Sequence, residues 1–287
     1  MTPDVKAFFD EATNTVTYVV TDPASKVCAI IDPVLDFDQA SGRTATASAQ
    51  TVINFAADNG LQVKWILETH AHADHLSAAQ YFKSKTGGEI GIGKLITESQ
   101  TVFKKLFNLD DEFSTDGSQF DHLFDEGDIL ELGKMKIRVM HTPGHTPACL
   151  TFVVGDCAFT GDTLFMPDFG TARVDFPGGD AAVLYRSIQR IFELPKDTRL
   201  FMCHDYKSPE RDENAWETTV REQQAKNIHI HAGITEQEFV EFRNKRDLNL
   251  GMPKLILPSI QVNIRAGRMP PAEANGVVYL KLPVDVL

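Results

Sequence analysis

The chain has 287 residues, 43% hydrophobic and 24% charged, which suits a globular protein of one large domain or two small ones. A formal net charge of −12 argues against a nucleic-acid partner, because phosphate contacts need a basic surface. No run of about 18 apolar residues occurs, and the first ten residues lack the apolar core of a signal peptide, so neither a membrane span nor a leader is expected.

In chain order, residues 15–22 and 27–32 predict two strands joined by a turn at Pro23 to Lys26. Residues 44–59 predict a helix closed by Gly60, and 63–68 (VKWILE) a buried strand. A helix over 76–84, a short strand over 89–92 and a helix over 96–107 follow, then a polar loop over 108–119. Strands dominate 128–164. Residues 180–193 predict a helix whose apolar face includes Val183, Ile188, Ile191 and Phe192. Further helices are expected over 214–226 and 235–246, the latter with Thr235 as N-cap and Glu238 three residues on. The segment from about 248 to 287, rich in Pro and Gly, reads as an extended wrap. This order gives an α/β protein with much strand content. Without an internal repeat or a linker, a single domain over 1–287 is expected. Cys28, Cys149, Cys157 and Cys203 form no C-x-x-C and sit in apolar runs, the pattern of buried, reduced thiols in a cytoplasmic protein. Cys203 adjoins His204, but neighbours in a strand point opposite ways, so it is not expected to be a ligand.

Four segments carry metal-capable side chains. The strand 63–68 runs into Thr69-His-Ala-His-Ala-Asp-His75, which packs His70, His72, Asp74 and His75 into six residues. Residues two apart at a strand end share a face, so His70 and His72 can reach one point. A turn through Ala73 lets Asp74 and His75 approach from another side. The second segment, His141-Thr-Pro-Gly-His145-Thr146, follows the short strand 136–140, and Pro143-Gly144 forms a tight turn that projects His145. In the third, a hairpin over 150–159 with a Gly155-Asp156 turn delivers Asp162. The fourth is Leu200-Phe-Met-Cys-His204-Asp-Tyr206, an apolar run ending in histidine. Imidazole suits zinc, iron and related metals, and carboxylate compensates their charge.

This succession of T-H-A-H-A-D-H, T-P-G-H-T, F-T-G-D-T-L and C-H-D-Y resembles the metallo-β-lactamase superfamily over about 15–268. Within it, the chain most resembles the persulfide dioxygenases, relatives of glyoxalase II. The segments Thr171-Ala-Arg173-Val-Asp175-Phe176 and Asp247-Leu-Asn-Leu-Gly-Met-Pro-Lys254 contribute to that likeness. Those enzymes often read G-C-G-R-T-D-F where this chain reads D-F-G-T-A-R-V-D-F. The resemblance implies an αββα sandwich and leaves no length for a rhodanese domain.

Dinuclear zinc hydrolases of the superfamily would use His70, His72 and His145 for one metal and Asp74, His75 and His204 for the other, with Asp162 bridging. Persulfide dioxygenases would bind one Fe(II) per chain through His70, His145 and Asp162, the two-histidine, one-carboxylate set of non-haem oxygenases. His72, Asp74, His75 and His204 would then orient the ligands, and Tyr206 would donate a hydrogen bond near the metal. Arg173 and Arg265 would meet glutathione carboxylates. The expected activity is oxidation of glutathione persulfide by O₂ to sulfite and glutathione, by a cytoplasmic homodimer with no membrane or nucleic-acid partner. The alternatives are a glyoxalase II-like hydrolase of glutathione thiolesters and a non-enzymatic sulfur-sensing module. Members that lose catalysis tend to lose ligands, and this chain keeps all of them. His229 and His231 form another H-x-H, but no Asp-His follows, so a packing role is expected for them.

Overall fold

A computed structural model describes residues 2–286. The first half runs β1 (Asp4–Asp10), β2 (Thr15–Thr21), β3 (Val27–Ile31), β4 (Val34–Asp38), β5 (Arg43–Ala45), α1 (Ala47–Asp58), β6 (Gln62–Leu67), β7 (Leu76–Ser77), α2 (Ala79–Thr86), β8 (Glu89–Gly93), α3 (Ile96–Leu106) and β9 (His122–Phe124). The second half runs β10 (Ile129–Leu132), β11 (Met135–His141), β12 (Leu150–Val154), β13 (Cys157–Phe159), a 3₁₀ turn at Gly161–Thr163, α4 (Ala181–Phe192), β14 (Arg199–Phe201), β15 (Glu217–Thr219), α5 (Val220–Lys226), α6 (Glu236–Asp247) and α7 (Ile256–Asn263).

Two six-stranded sheets form, ordered β1-β2-β3-β6-β8-β9 and β10 to β15 in sequence, with a small third sheet, β5-β4-β7. Side-chain alternation explains how they stack. In β2, Val16, Tyr18 and Val20 join Phe152, Phe159 and Phe201 of the second sheet in a core between the sheets. Val19 points the other way and, with Ile30 and Ile66, packs under Val52 of α1 and Phe82 of α2. On the far side of the second sheet, Ala158 and Leu200 meet Leu184 and Ile188 of α4 and Phe239 of α6. Helix, sheet, sheet and helix are thus four successive layers, the αββα arrangement the motifs implied. Among the described residues no helix is long and apolar enough to cross a membrane.

Several boundaries differ from the sequence reading, each through tertiary pairing. The helix expected from 44 starts at Ala47, because Arg43–Ala45 pairs with β4. The helix expected from 76 starts at Ala79, because Leu76 and Ser77 pair with Leu35 and Val34. The helix expected over 214–226 covers only Val220–Lys226; Glu217–Thr219 adds β15 to the edge of the second sheet, and the Thr219 side chain caps the helix. The wrap from 248 contains α7, where Ile256, Ile260 and Ile264 follow a four-residue spacing and pack on Phe103, Phe107 and Phe113. Pro258 masked this helix in the sequence, although proline is tolerated in a first turn.

Candidate metal centre

The two sheets are stitched together at one end. Val16 N–H donates to the Cys203 carbonyl at 2.7 Å, Asp205 N–H to Asn14 at 3.1 Å, and Leu150 N–H to Thr69 at 2.9 Å. The loops after β6, β11, β13 and β14 all leave from this end. They bring His70 to His75, His145, Asp162 and His204 to a common place.

His70, His145 and Asp162 converge as one buried group. Asp162 Oδ2 lies 3.8 Å from His70 Nε2 and 3.7 Å from His145 Nε2. These separations exceed a hydrogen bond. They match donors meeting at one ion, since bonds of about 2 Å allow ligand atoms up to about 4 Å apart. His145 Nδ1 donates to the Arg173 carbonyl at 2.8 Å, which leaves Nε2 free as the ligand atom. Burial pulls the His70 imidazole well below its ordinary pKa, with His72 adding to the effect, so the ring is neutral and offers a lone pair. Burial also raises the Asp162 carboxyl, and His204 and His145 oppose that rise.

A second buried group holds His72, Asp74, His75 and His204. His204 Nε2 stands 3.1 Å from Asp74 Oδ2 and 3.3 Å from Asp162 Oδ1, so Asp162 lies between the two groups. Burial opposes protonation of His204, yet Asp74 and Asp162 lift its pKa above the usual value. Burial likewise penalises the Asp74 carboxylate, but His204 and His75 hold its pKa well below the carboxylate range. The His70 and His72 rings are neighbours, 4.0 Å between centroids, but their free nitrogens serve different groups. That corrects both the shared point expected for this pair and the implied grouping of His72 with His70 and His145. The reason is rotameric: His72 directs Nε2 to Asp32 at 3.0 Å, which turns Nδ1 toward His75 and His204.

Six ligand atoms in these groups are buried without a hydrogen-bond partner among the described residues: Nε2 of His70, His75 and His204, Nδ1 of His72, Oδ2 of Asp74 and Oδ1 of Asp162. One such orphan costs about 1–3 kcal/mol, so a cluster of them is an arrangement for a cation. Nitrogen and oxygen donors in this ratio suit iron or zinc.

Three residues around the centre escaped the sequence reading. Asp32 ends β3 in a left-handed conformation, φ 51°, tolerable for Asp. It accepts from Thr69 N at 2.7 Å and Thr69 Oγ1 at 2.9 Å, so it locks the start of the histidine loop as well as His72. Glu68 is buried beside it and accepts from Ser77 Oγ; burial, then the Asp32 charge, push its carboxyl well above the usual range. Asn263 of α7 donates to the carbonyls of His72 and His75, each at 2.8 Å. A signal existed for the first two, an acid closing an otherwise apolar strand. Nothing local marked Asn263. Cys203 directs its thiol to Asp32 at 3.5 Å, and burial keeps that thiol protonated.

Residues 11–204 match the Metallo-beta-lactamase superfamily. The chain belongs to that superfamily. It is 55% identical to the probable metallo-hydrolase BURPS1710b_2304 of Burkholderia pseudomallei (strain 1710b), over 99% of both chains. It has the same identity to the longer β-lactamase hydrolase-like protein of Agrobacterium fabrum, of which it spans 65%. It is 46% identical to glyoxylase B2 of Dictyostelium discoideum, covering 94% of this chain and 92% of that one. The mitochondrial persulfide dioxygenase ETHE1 of Homo sapiens is 31% identical, over 93% of this chain and 90% of that one. The crystal structure of ETHE1 from Myxococcus xanthus superposes with a TM-score of 0.73 at 27% identity, over 92% of this chain and all of that one.

In this metallo-β-lactamase fold a cavity of about 780 Å³ opens onto the metal groups. Asp74, His145 and Asp162 reach it from below, and Phe165, Phe169, Phe176 and Tyr206 wall it. Tyr206 lies with its ring 5.5 Å from that of His204. Tyr206 is 41% exposed, yet desolvation and then the charges of Asp74 and Asp162 raise its phenol pKa well above the usual value, so it is a neutral donor. Arg173 lines the cavity but its guanidinium is committed: a fork to Asp175 at 2.6 Å for both bonds, and Nη1 to the Gly251 carbonyl at 2.7 Å. Arg265 is placed elsewhere, stacked 4.3 Å over the Phe113 ring beyond α7, and it does not line the cavity. Two exposed cations that the sequence reading passed over, Arg246 and Lys254, do line it. His229 and His231 form no metal group; His229 is buried and accepts from Thr171 N at 3.0 Å.

Proposed function

We propose that the chain is a persulfide dioxygenase. It oxidises glutathione persulfide at one Fe(II) held by His70, His145 and Asp162. The observation that carries this reading is the access route. The cavity meets the metal groups through His145, Asp162 and Asp74, whereas His72, His75 and His204 are each 0% exposed. A substrate therefore meets the triad through two donors, His145 and Asp162, and the tetrad through Asp74 alone. The likeness to the human and Myxococcus proteins supports the same reading.

Iron in such a site supplies a Lewis acid and a source of electrons for O₂, with positions left open beside two histidines and one carboxylate. The protein does the rest. The phenylalanine walls hold the persulfide sulfur out of bulk water. Tyr206 offers a neutral O–H toward the reacting end. Arg246 and Lys254 face the carboxylates of a glutathionyl group. In the net reaction the outer sulfur is oxidised and O₂ reduced. Persulfide, O₂ and one water give glutathione, bisulfite and a proton.

The test is O₂ uptake and sulfite release with glutathione persulfide, on protein purified anaerobically and analysed for metal. One iron per chain and matched uptake and release are expected. Rapid cleavage of S-lactoylglutathione without O₂ uptake sinks the reading. That result would fit the second candidate, a dinuclear thiolester hydrolase. The orphaned tetrad atoms, the placement of Asp162 between both groups and the glyoxylase B2 relative favour this alternative. Two metal ions per chain would accompany it.

Substrate charge recognition gives a separate prediction. Arg246→Met and Lys254→Met should each raise KM for glutathione persulfide by about three- to tenfold and leave kcat nearly unchanged, because remote binding stabilises ground and transition states alike. Both cations are solvent-exposed, so the effect should shrink with added salt. Arg265→Met should leave KM alone. A normally melting variant with unchanged KM removes that residue from the substrate site.

A further inference from the structure

The superfamily match ends at residue 204, yet the loop that orients His145 is held from beyond it. His145 Nδ1 leans on the Arg173 carbonyl, in the irregular segment 170–174. Four side chains from the later part of the chain grip that segment. Arg243 of α6 donates through Nη1 to the Thr171 carbonyl at 3.0 Å. Asp247, one turn on, accepts from Val174 N–H through Oδ2 at 2.8 Å. His229 accepts from Thr171 N–H at 3.0 Å, and Asn227 donates to the Gly170 carbonyl at 3.0 Å. Arg243 and Asp247 are themselves joined: Nε and Nη2 reach Asp247 Oδ1 at 3.0 and 2.6 Å, and both residues are buried.

We propose that the Arg243–Asp247 ion pair is a positioning device for the metal ligand His145. Its two ends hold backbone groups on either side of Arg173, one carbonyl and one N–H. The Arg173 carbonyl then has a single place, and the imidazole that donates to it has a single orientation. Rotation of that ring would carry Nε2 away from Asp162. A buried ion pair is a weak source of stability, since desolvation offsets the attraction. Its value lies in fixing conformation, and groups that orient metal-bound histidines commonly change metal affinity by about 10–100-fold.

The inference rests on the metal-centre reading, and one set of measurements separates the two. The probe is Co(II), titrated into full-length metal-free protein against a competing chelator, with its visible absorption as a second signal. If the wild-type chain takes up no Co(II), the metal reading fails and the positioning role falls with it. If it does, Asp247→Asn should weaken binding by about tenfold and alter the absorption, and it should also lower the metal-free melt, because Arg243 keeps a buried charge without its partner. Arg243→Met combined with Asp247→Leu should fold, because replacing both buried charges by apolar groups is often neutral. It should still bind Co(II) at least about tenfold more weakly, since neither residue can hold the Thr171 carbonyl or the Val174 N–H. Wild-type affinity and absorption in the folded double variant overturn the proposal.

Discussion

Asp162→Ala, His70→Ala and His145→Ala should each empty the proposed iron site. Each removes one of three protein donors that converge within 4.8 Å of one another. The loss should exceed the roughly hundredfold limit for residues that only support a ligand. Asp162→Ala should be the most severe, because it also takes away the carboxylate that lies between both groups of histidines. Iron per chain after anaerobic reconstitution measures this. His75→Ala should keep most of the iron, since His75 belongs to the tetrad. Equal loss of metal in His75→Ala and His145→Ala would move the assignment to a dinuclear centre.

The second large effect is predicted at Gly144, the residue before His145. Its φ is 134°, a conformation that side chains rarely adopt, and an added Cβ would stand 2.4 Å from Leu184 N and Cα. Those atoms belong to the backbone of α4, so they cannot swing aside. The turn is also tied to that helix: Asp180 N–H donates to the Gly144 carbonyl at 2.8 Å, and Ser187 Oγ to the Pro143 carbonyl at 2.6 Å. Backbone strain and overpacking together predict about 3–5 kcal/mol of destabilisation for Gly144→Ala, with a displaced His145. Gly42→Ala is the control, with φ of 66° but open space around the added carbon, and about 1 kcal/mol is expected. Denaturant melts of the metal-free proteins compare them. Similar losses at the two positions would refute the packing argument.

The residues that cluster at the centre were legible in the sequence because few residue types bind metal and each sat beside a strand end or a tight turn. Their partition was not. Whether His72 shares an ion with His70 or with His75 depends on which ring nitrogen Asp32 claims, and Asp32 lies 40 residues away, at the end of another strand. Arg173 shows the same limit. Its position by the cavity was readable from its motif, but not that Asp175 and Gly251 occupy its donors. Arg265 was misplaced because the segment from 248 was read as extended, whereas α7 carries it toward Phe113. The sandwich was what the family resemblance implied, whereas periodicity alone gave an α/β protein with much strand content. The edge strands β1 and β15 were missed, since half-exposed edges carry a weaker apolar signal.

The donors come from both sheets: His70 to His75 follow β6 of the first, while His145, Asp162 and His204 follow strands of the second. An ion held by them is a bolt across the joint between two halves of the molecule. It cannot seed folding as in a zinc finger, whose ligands lie close in sequence, because its socket exists only once the halves have docked. Metal uptake would then follow docking of the halves. Once seated, the bolt makes separation of the halves depend on free metal in solution, adding about 4 kcal/mol at a thousandfold excess over Kd. A cell short of the metal would hold a complete but loosened protein, more exposed to proteases along the seam where its catalytic groups lie.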